Sequence, residues 1–264
     1  MEATTRHSEV AGAPGLERSS CFLWGWALLG ALGLTLALAA GGESASLGTL
    51  TQLAGTAGCV SADGTGGLWS GGPCADGTAL DAAFSVAVSR DGQHVYVASL
   101  FGGVAVFARD KATGALTQLA GTAGCVSYAG QYFAMEGLCA AGRALFGANS
   151  VAVSHDDRHV YVASHYSNAV AIFARDKATG ALTQLAGTAG CVGLMWWTDA
   201  SCAVGPALEG TVSVAVSCDD RNVYAASYMS SAVNVFTRDS SAGPRAAGPP
   251  RPARSSQSCV RASE

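Results

Sequence analysis

The chain has 264 residues, of which only 13% are charged, and a formal net charge of −4. That length allows one large domain or two small ones around a buried core. The acidic balance excludes a non-specific nucleic-acid binder, because no basic face is available to neutralise phosphates.

Residues 1–21 lack an apolar pattern and predict a disordered cytoplasmic leader. Phe22 to Ala40, "FLWGWALLGALGLTLALAA", is an uncharged run long enough to cross a hydrocarbon core as a hydrophobic helix. Arg18 before it and Glu43 after it orient the N-terminus towards the cytoplasm. Ala37 and Ala39 equally fit the end of a cleaved signal peptide. A signal peptide and a transmembrane signal anchor are both open readings. Under either one, residues past Gly41 are exported, to be secreted or held at the membrane through residues 22–40. A short linker, 41–47, leads into the repeats.

Six of the nine cysteines form three local pairs: Cys59 with Cys74, Cys125 with Cys139, and Cys191 with Cys202. Each pair closes a short loop at the same point of a repeat, and none has CxxC metal spacing. Three disulfides in an oxidising compartment account for this usage; a set of structural thiols is the rival. Cys21, Cys218 and Cys259 are left over. Cys218 takes a turn position held by Arg90 and His155 in the sister repeats, which reads as drift.

The repeat is written twice without change: "FARDKATGALTQLAGTAGCV" runs from Phe107 to Val126 and again from Phe173 to Val192. Its core, "TQLAGTAGCV", starts at Thr51, Thr117 and Thr183, a step of 66 residues. From the second cysteine of each pair to the next "SVAVS" is 11 residues each time: Cys74 to Ser85, Cys139 to Ser150, Cys202 to Ser213. Constant spacing through loops of varied sequence marks a structural repeat. Inside it the period is two. "SVAVS", then "HVYVAS" or "NVYAAS", then "VAVFARD" or its variants, then "ALTQLAGT" are four β-rich runs split by Asp, Gly and Asn turns. Four antiparallel strands per unit predict one propeller blade.

"SVAVSRDGQHVYVAS", "SVAVSHDDRHVYVAS" and "SVAVSCDDRNVYAAS" resemble the repeat of the lactonase-like, or YVTN, β-propellers. "FARDKATGALTQL" resembles the third-to-fourth-strand turn of that family. The resemblance covers residues 48–238 and implies an all-β chain of propeller repeats. For activity it implies at most a lactone hydrolase of the 6-phosphogluconolactonase kind, since propellers serve as enzymes, binders and scaffolds alike. Two features depart from the family: three four-stranded units are visible where seven blades are usual, and Arg90, His155 or Cys218 replaces the usual turn proline.

Residues 49–56 predict a lone fourth strand ahead of the first complete unit, and the last unit stops after its third strand at Arg238. One strand at the front and three at the back make one blade. A three-blade ring would set its inner strands at too sharp an angle. The expectation is therefore a homodimer that closes a six-blade ring, or else an inactive fragment of a longer array. Residues 239–264 hold four of the seven prolines and predict a disordered tail.

Identical stretches place the same groups at symmetric positions, so any unique site must come from the loops that differ. The cysteine loops offer Trp69, then Tyr132 and Glu136 followed by Arg143, then Trp196, Trp197 and Asp199. The short second-to-third-strand loops add Phe101, His165 with Tyr166, and Tyr228 with Met229. Rings beside a few carboxylates suit a small-molecule ligand such as a sugar or apolar acid, or an extracellular protein. Rings packed under their own loops are the plainer reading. For lactone opening, His165, Glu136 and Arg143 are the candidate catalytic residues by type alone. The run His155, Asp156, Asp157 and His159 suggests a metal, but the sister turns lack the pair, and no metal or cofactor is assigned. No Gly-x-Ser-x-Gly elbow, HExxH or phosphate-binding glycine loop is present. The expectation is an exported binding or scaffold module, with a lactone hydrolase as the alternative.

Overall fold

The structure is a computed structural model, and it describes residues 48–66, 72–128, 138–194 and 201–239. The leader, the apolar run 22–40, the linker and the tail past Asp239 lie outside the described residues. Among the described residues no helix is long and apolar enough to cross a membrane.

After a two-stranded parallel sheet of Val60–Ser61 with Ala75–Asp76, three blade sheets follow one another, one per repeat. Blade I is built from Ala83–Val88, His94–Ser99 and Gly103–Arg109, with Leu116–Gln118 and Cys125–Tyr128 sharing the fourth position and Ala140–Gly142 outermost. Blade II repeats this with Ala148–Val153, His159–Ser164, Ala169–Arg175, Leu182–Gln184, Cys191–Gly193 and Ala203–Val204. Among the described residues blade III has three strands, Thr211–Val216, Asn222–Ser227 and Ala232–Thr237. The first three strands of each blade pair antiparallel, so that Tyr161 stands opposite Ala152 on one side and Ile172 on the other.

The sequence predicts a single fourth strand per blade, and the structure divides it. Phe107 to Arg109 pair with Gln118 to Leu116, and Val104 and Ala105 pair further along with Val126 and Cys125. Between them the 3-10 turn Gly121–Gly124 bulges outward. Gly121 and Gly187 sit at φ 57°, a left-handed conformation through which strand alternation cannot run. Gln118 latches the turn by donating from Nε2 to Gly124 O at 2.9 Å, and Gln184 does the same to Gly190 O at 2.9 Å. The cysteine loop then returns as a fifth, parallel strand, with Ala140 opposite Val126. The expected lone strand at residues 49–56 is not formed. Leu50–Gln52 repeats the letters of Leu116–Gln118, but no third strand lies beside it among the described residues.

All three expected disulfides are present, with Cα atoms 4.9, 4.8 and 4.8 Å apart in Cys59–Cys74, Cys125–Cys139 and Cys191–Cys202. Cys218, which reads as drift in the sequence, is disulfide-bonded as well.

Blades pack face to face, and two of the three core clusters lie in the seams; the third gathers Ala79, Val95, Ala105 and Phe107 on blade I. Tyr96, Ala98, Val104 and Val106 of blade I meet Val151, Val160, Val162, Ala171 and Phe173 of blade II. Tyr161, Ala163 and Val170 of blade II meet Val214, Val223 and Ala225 of blade III. The second strand of blade II is thus covered on both faces, and all six of its residues are buried. Coverage on both faces explains why "HVYVAS" is apolar at most positions rather than strictly alternating. The inner strands also touch directly: Val151 N donates to Ser85 Oγ at 3.3 Å, and Val214 N to Ser150 Oγ at 3.2 Å. Phe173 is wholly enclosed by the first seam. Phe173→Ala should therefore cost about 3–5 kcal/mol in urea unfolding, whereas Lys111→Ala, on an exposed turn, should stay within about 0.5 kcal/mol of the parent.

Candidate functional site

The two ends of the blades are chemically different. One end carries the turns after the inner strands. In blade I, Ser89 Oγ donates to Asp91 Oδ1 at 2.6 Å and accepts from His94 N at 2.9 Å. Ser154, Asp156 and His159 repeat this at 2.6 and 2.9 Å, as do Ser217, Asp219 and Asn222. The next turn residue is Gly92, Asp157 or Asp220, at φ 68°, 59° and 61°, a conformation that Gly and Asp tolerate.

Across these turns an arginine staples each blade to the one before. Arg175 ends the third strand of blade II, and its side chain is fully buried. Its Nη2 donates to Asp91 Oδ2 of blade I at 3.0 Å and its Nε to Tyr96 Oη at 2.7 Å. Nη1 holds Asp157 O of its own blade at 3.1 Å, and Nη2 lies 2.8 Å from His94 Nδ1. Asp157 answers by accepting from Arg90 N at 2.7 Å and Asp91 N at 3.1 Å. Arg238 repeats the staple between blades III and II. It donates to both oxygens of Asp156 at 2.8 and 2.7 Å, to Tyr161 Oη at 2.9 Å and to Asp220 O at 3.2 Å, with His159 Nδ1 at 3.0 Å.

The electrostatics follow from that geometry. Burial opposes the charge on Asp91 and Asp156, but hydrogen bonds from the turn serine, the turn amide and the arginine outweigh it, and both carboxyls are held at about 2. Burial first, and then the adjacent arginine, hold His94 and His159 below the usual imidazole value. Burial pushes the Tyr96 phenol up to about 12. The His155 to His159 run thus serves the seam. Among the described residues no group of three or more His, Cys, Asp or Glu is arranged to hold a metal ion.

The opposite end lies one strand away, roughly 20 Å for six residues. There the Phe146 ring lies 4.9 Å from that of Tyr166 and 6.4 Å from that of Tyr128, tilted by 34° in both cases. The His165 ring stands edge-on to Tyr166 at 4.9 Å. The backbone fixes this ledge: His165 N donates to Gly147 O at 2.7 Å, Ser167 N to Phe146 O at 3.0 Å, and Phe146 N to Ser167 Oγ at 3.0 Å. Gly147 is required, because at φ 77° a Cβ would come within 2.8 Å of Tyr166 N. In blade III, Tyr228 N donates to Gly210 O at 2.9 Å, and Asn168 Oδ1 of blade II accepts from Gly210 N at 2.6 Å. Phe101, Tyr128, Tyr166, Tyr228 and Met229 are all exposed on this end.

Of the candidates from the sequence, His165 and Tyr228 stand on this end. Arg143 is held by backbone carbonyls instead: Ser201 O at 3.4 Å, Leu185 O at 3.4 Å and Gly187 O at 3.1 Å. It ties the loop ahead of blade II to the outer edge of that blade. Trp69, Tyr132, Glu136, Trp196, Trp197 and Asp199 lie outside the described residues. Phe146 escapes a reading of the sequence because it sits in a spacer whose constant length draws the eye; its signal is that Asp81 and Glu209 hold the same place in the sister repeats. Arg175 and Arg238 are hidden in strand-end letters that look like scaffold.

Residues 74–192 match the family model described as "Lactonase, 7-bladed beta-propeller". That stretch, under half of the chain, is similar to the lactonase-like β-propellers. Similar solved structures include a Bacteroides uniformis protein assigned as a 6-phosphogluconolactonase, at 15% identity over 66% of this chain and 40% of that one, with a TM-score of 0.40. The periplasmic gluconolactonase of Pseudomonas aeruginosa is similar at 17% identity over 59% of this chain and 38% of that one, TM-score 0.38. A Lactobacillus plantarum protein is similar at 22% identity over 58% of this chain and 37% of that one, TM-score 0.37. The chain spans 40% of the length of the first of these structures. A search of curated proteins finds no match.

The staple gives the blades a pH signature. Asp91 and Asp156 have depressed folded values, so their stabilisation is complete above the unfolded value near 4 and is lost as pH falls towards about 2. His94 and His159 are depressed too, so unfolding takes up protons below the unfolded value near 6.5. Thermal unfolding should show a Tm that declines once pH drops below about 6.5 and falls steeply below about 4, each aspartate accounting for roughly 2 kcal/mol. In Asp91→Asn the steep acid limb should shrink.

Proposed function

We propose that the chain is an exported, disulfide-bonded propeller module that binds a ring-shaped small molecule, a sugar or sugar acid, on the ledge of Tyr128, Phe146 and Tyr166. The observation that carries this reading is the tilted Phe146–Tyr166 ring pair, 4.9 Å between centroids, with Tyr166 exposed beside it. The ledge arises where the repeats differ, which is where a unique ligand site has to arise. Aromatic faces bordered by a few polar groups suit the C–H face of a sugar ring. Closed disulfides suit an oxidising extracytoplasmic compartment.

A lactone hydrolase is the second reading, favoured by the family match over residues 74–192. It needs a group to activate water and donors for the developing oxyanion. His165, on the ledge, is the base this reading would use. The two readings separate in one set of measurements on the full chain. Calorimetric titration with gluconate should show binding that Tyr166→Ala weakens by about tenfold or more, a loss of roughly 1.4 kcal/mol, while His165→Ala leaves the affinity within a few-fold. Opening of glucono-1,5-lactone above the buffer rate, abolished by His165→Ala, would favour the hydrolase. Absence of binding to gluconate and to neutral hexoses would sink the ledge as a sugar site.

A further inference from the structure

Blade III presents the face that blades I and II bury. Tyr224, Val233 and Val235 are the counterparts of Tyr96, Val104 and Val106, which are wholly enclosed in the first seam, yet they are 38%, 69% and 63% exposed. At the other end Phe84, Val86 and Val88 of blade I, the counterparts of Asn149, Val151 and Val153, are 62%, 65% and 52% exposed.

The polar half of the seam is divided between the same two ends. Arg109 is the counterpart of Arg175 and Arg238, and its Nη1 holds Gly92 O at 3.2 Å as theirs hold Asp157 O and Asp220 O. It crosses to no other blade among the described residues. Asp219, Asn222 and Tyr224 are the counterparts of Asp156, His159 and Tyr161, the group that receives Arg238. Asp219 is already oriented by Ser217 Oγ at 2.6 Å. Ser213, the counterpart of the inner-strand acceptors Ser85 and Ser150, is exposed.

The sheet edges are divided likewise. Among the described residues, Ala232–Thr237 has no fourth strand on its outer side. Leu50–Gln52 has the letters of a fourth strand, the 3-10 turn Gly55–Gly58 and the latch, Gln52 Nε2 donating to Gly58 O at 3.0 Å. It lacks only a third strand to lie against.

We infer that a second copy of this chain fills both vacancies, head to tail. Residues 50–61 of the second copy complete blade III, and Arg109 of the second copy reaches Asp219 and Tyr224. Two copies about a two-fold axis make the contact twice and close a six-blade ring, leaving no unpaired sheet edge at either seam. The register follows from blade II, where Phe173, Ala174 and Arg175 pair with Gln184, Thr183 and Leu182. Phe236, Thr237 and Arg238 then lie opposite Gln52, Thr51 and Leu50 of the second copy. A foreign partner would need an arginine, an apolar inner strand and a latched outer strand at the same spacing. This chain carries all three. One anchor is missing from the new seam: Gly92 stands where Asp157 and Asp220 accept turn amides, so this seam is weaker than the internal two. The inference is independent of the ledge and its ligand.

The test is the absolute mass of the full chain by light scattering after size exclusion, with and without charge reversal. Wild type should run at twice the chain mass of 26.4 kDa. R109E and D219R should each give single chains with unchanged far-UV circular dichroism, and a chain carrying both R109E and D219R should recover the pair. A wild-type mass other than two chains, or single variants that stay paired, overturns the inference. Because a reversal could disturb folding, a T51C/T237C chain provides a second readout. A reducible covalent dimer, absent from T51C alone, supports the head-to-tail register; a bond within one chain, or no bond, refutes it.

Discussion

Everything in this structure depends on the way one blade is fastened to the next. Within a blade the strands pair locally, but a sheet with two apolar faces needs another layer to cover each of them. The seam supplies what is missing. Its apolar half comes from alternate residues of the first three strands, and its polar half from one buried arginine per seam, Arg175 in the first and Arg238 in the second. The Arg175 guanidinium is nearly saturated: a carboxylate, a phenol, an imidazole nitrogen and a backbone carbonyl receive its donors. A buried charge satisfied so fully is tolerated in the interior, and its planar fork admits few alternative alignments of the two blades. The apolar contacts bring the blades together, and the arginine sets their stagger.

The repeat architecture was legible because each of its signals is local. A period of two, turn residues at fixed offsets and a constant 66-residue step can all be read without knowing what touches what. The three cysteine pairs were legible for the same reason. The division of the fourth strand was not, although Gly121 and Gly187 are its cause, because a glycine in a β-rich run reads equally as a bulge, a turn or an ordinary pause. Arg175 and Arg238 were opaque for a different reason. Their partners, Asp91 with Tyr96 and Asp156 with Tyr161, lie some 80 positions away (sequence separations of 84 and 79, then 82 and 77). No spacing rule links a residue to the preceding repeat.

The candidate site divides in the same way. His165, Tyr166 and Tyr228 could be picked out because they occupy a loop that changes from unit to unit. Phe146 could not, because the residues around it are spacer and its role comes from packing against a loop about twenty residues further on. Arg143 is a catalytic candidate by residue type and a structural tie by position. The lesson is one of direction: a charged residue after a disulfide loop is as well placed to hold the loop as to face the solvent.

The identical twenty-residue stretch acquires a meaning from where it lies. It runs from the third strand through the latched turn to the first cysteine, so it contains Arg109 in one copy and Arg175 in the other, while the aspartate and tyrosine that receive the staple lie outside it. Recombination between the two copies would remove or add one whole period and leave every junction with an arginine on one side and its receiver on the other. The protein can therefore change length in evolution by whole blades without inventing a new interface. The cysteine loops, which fall between the copies and differ in sequence, would be shuffled in the process, so that each new length would carry a different set of loops.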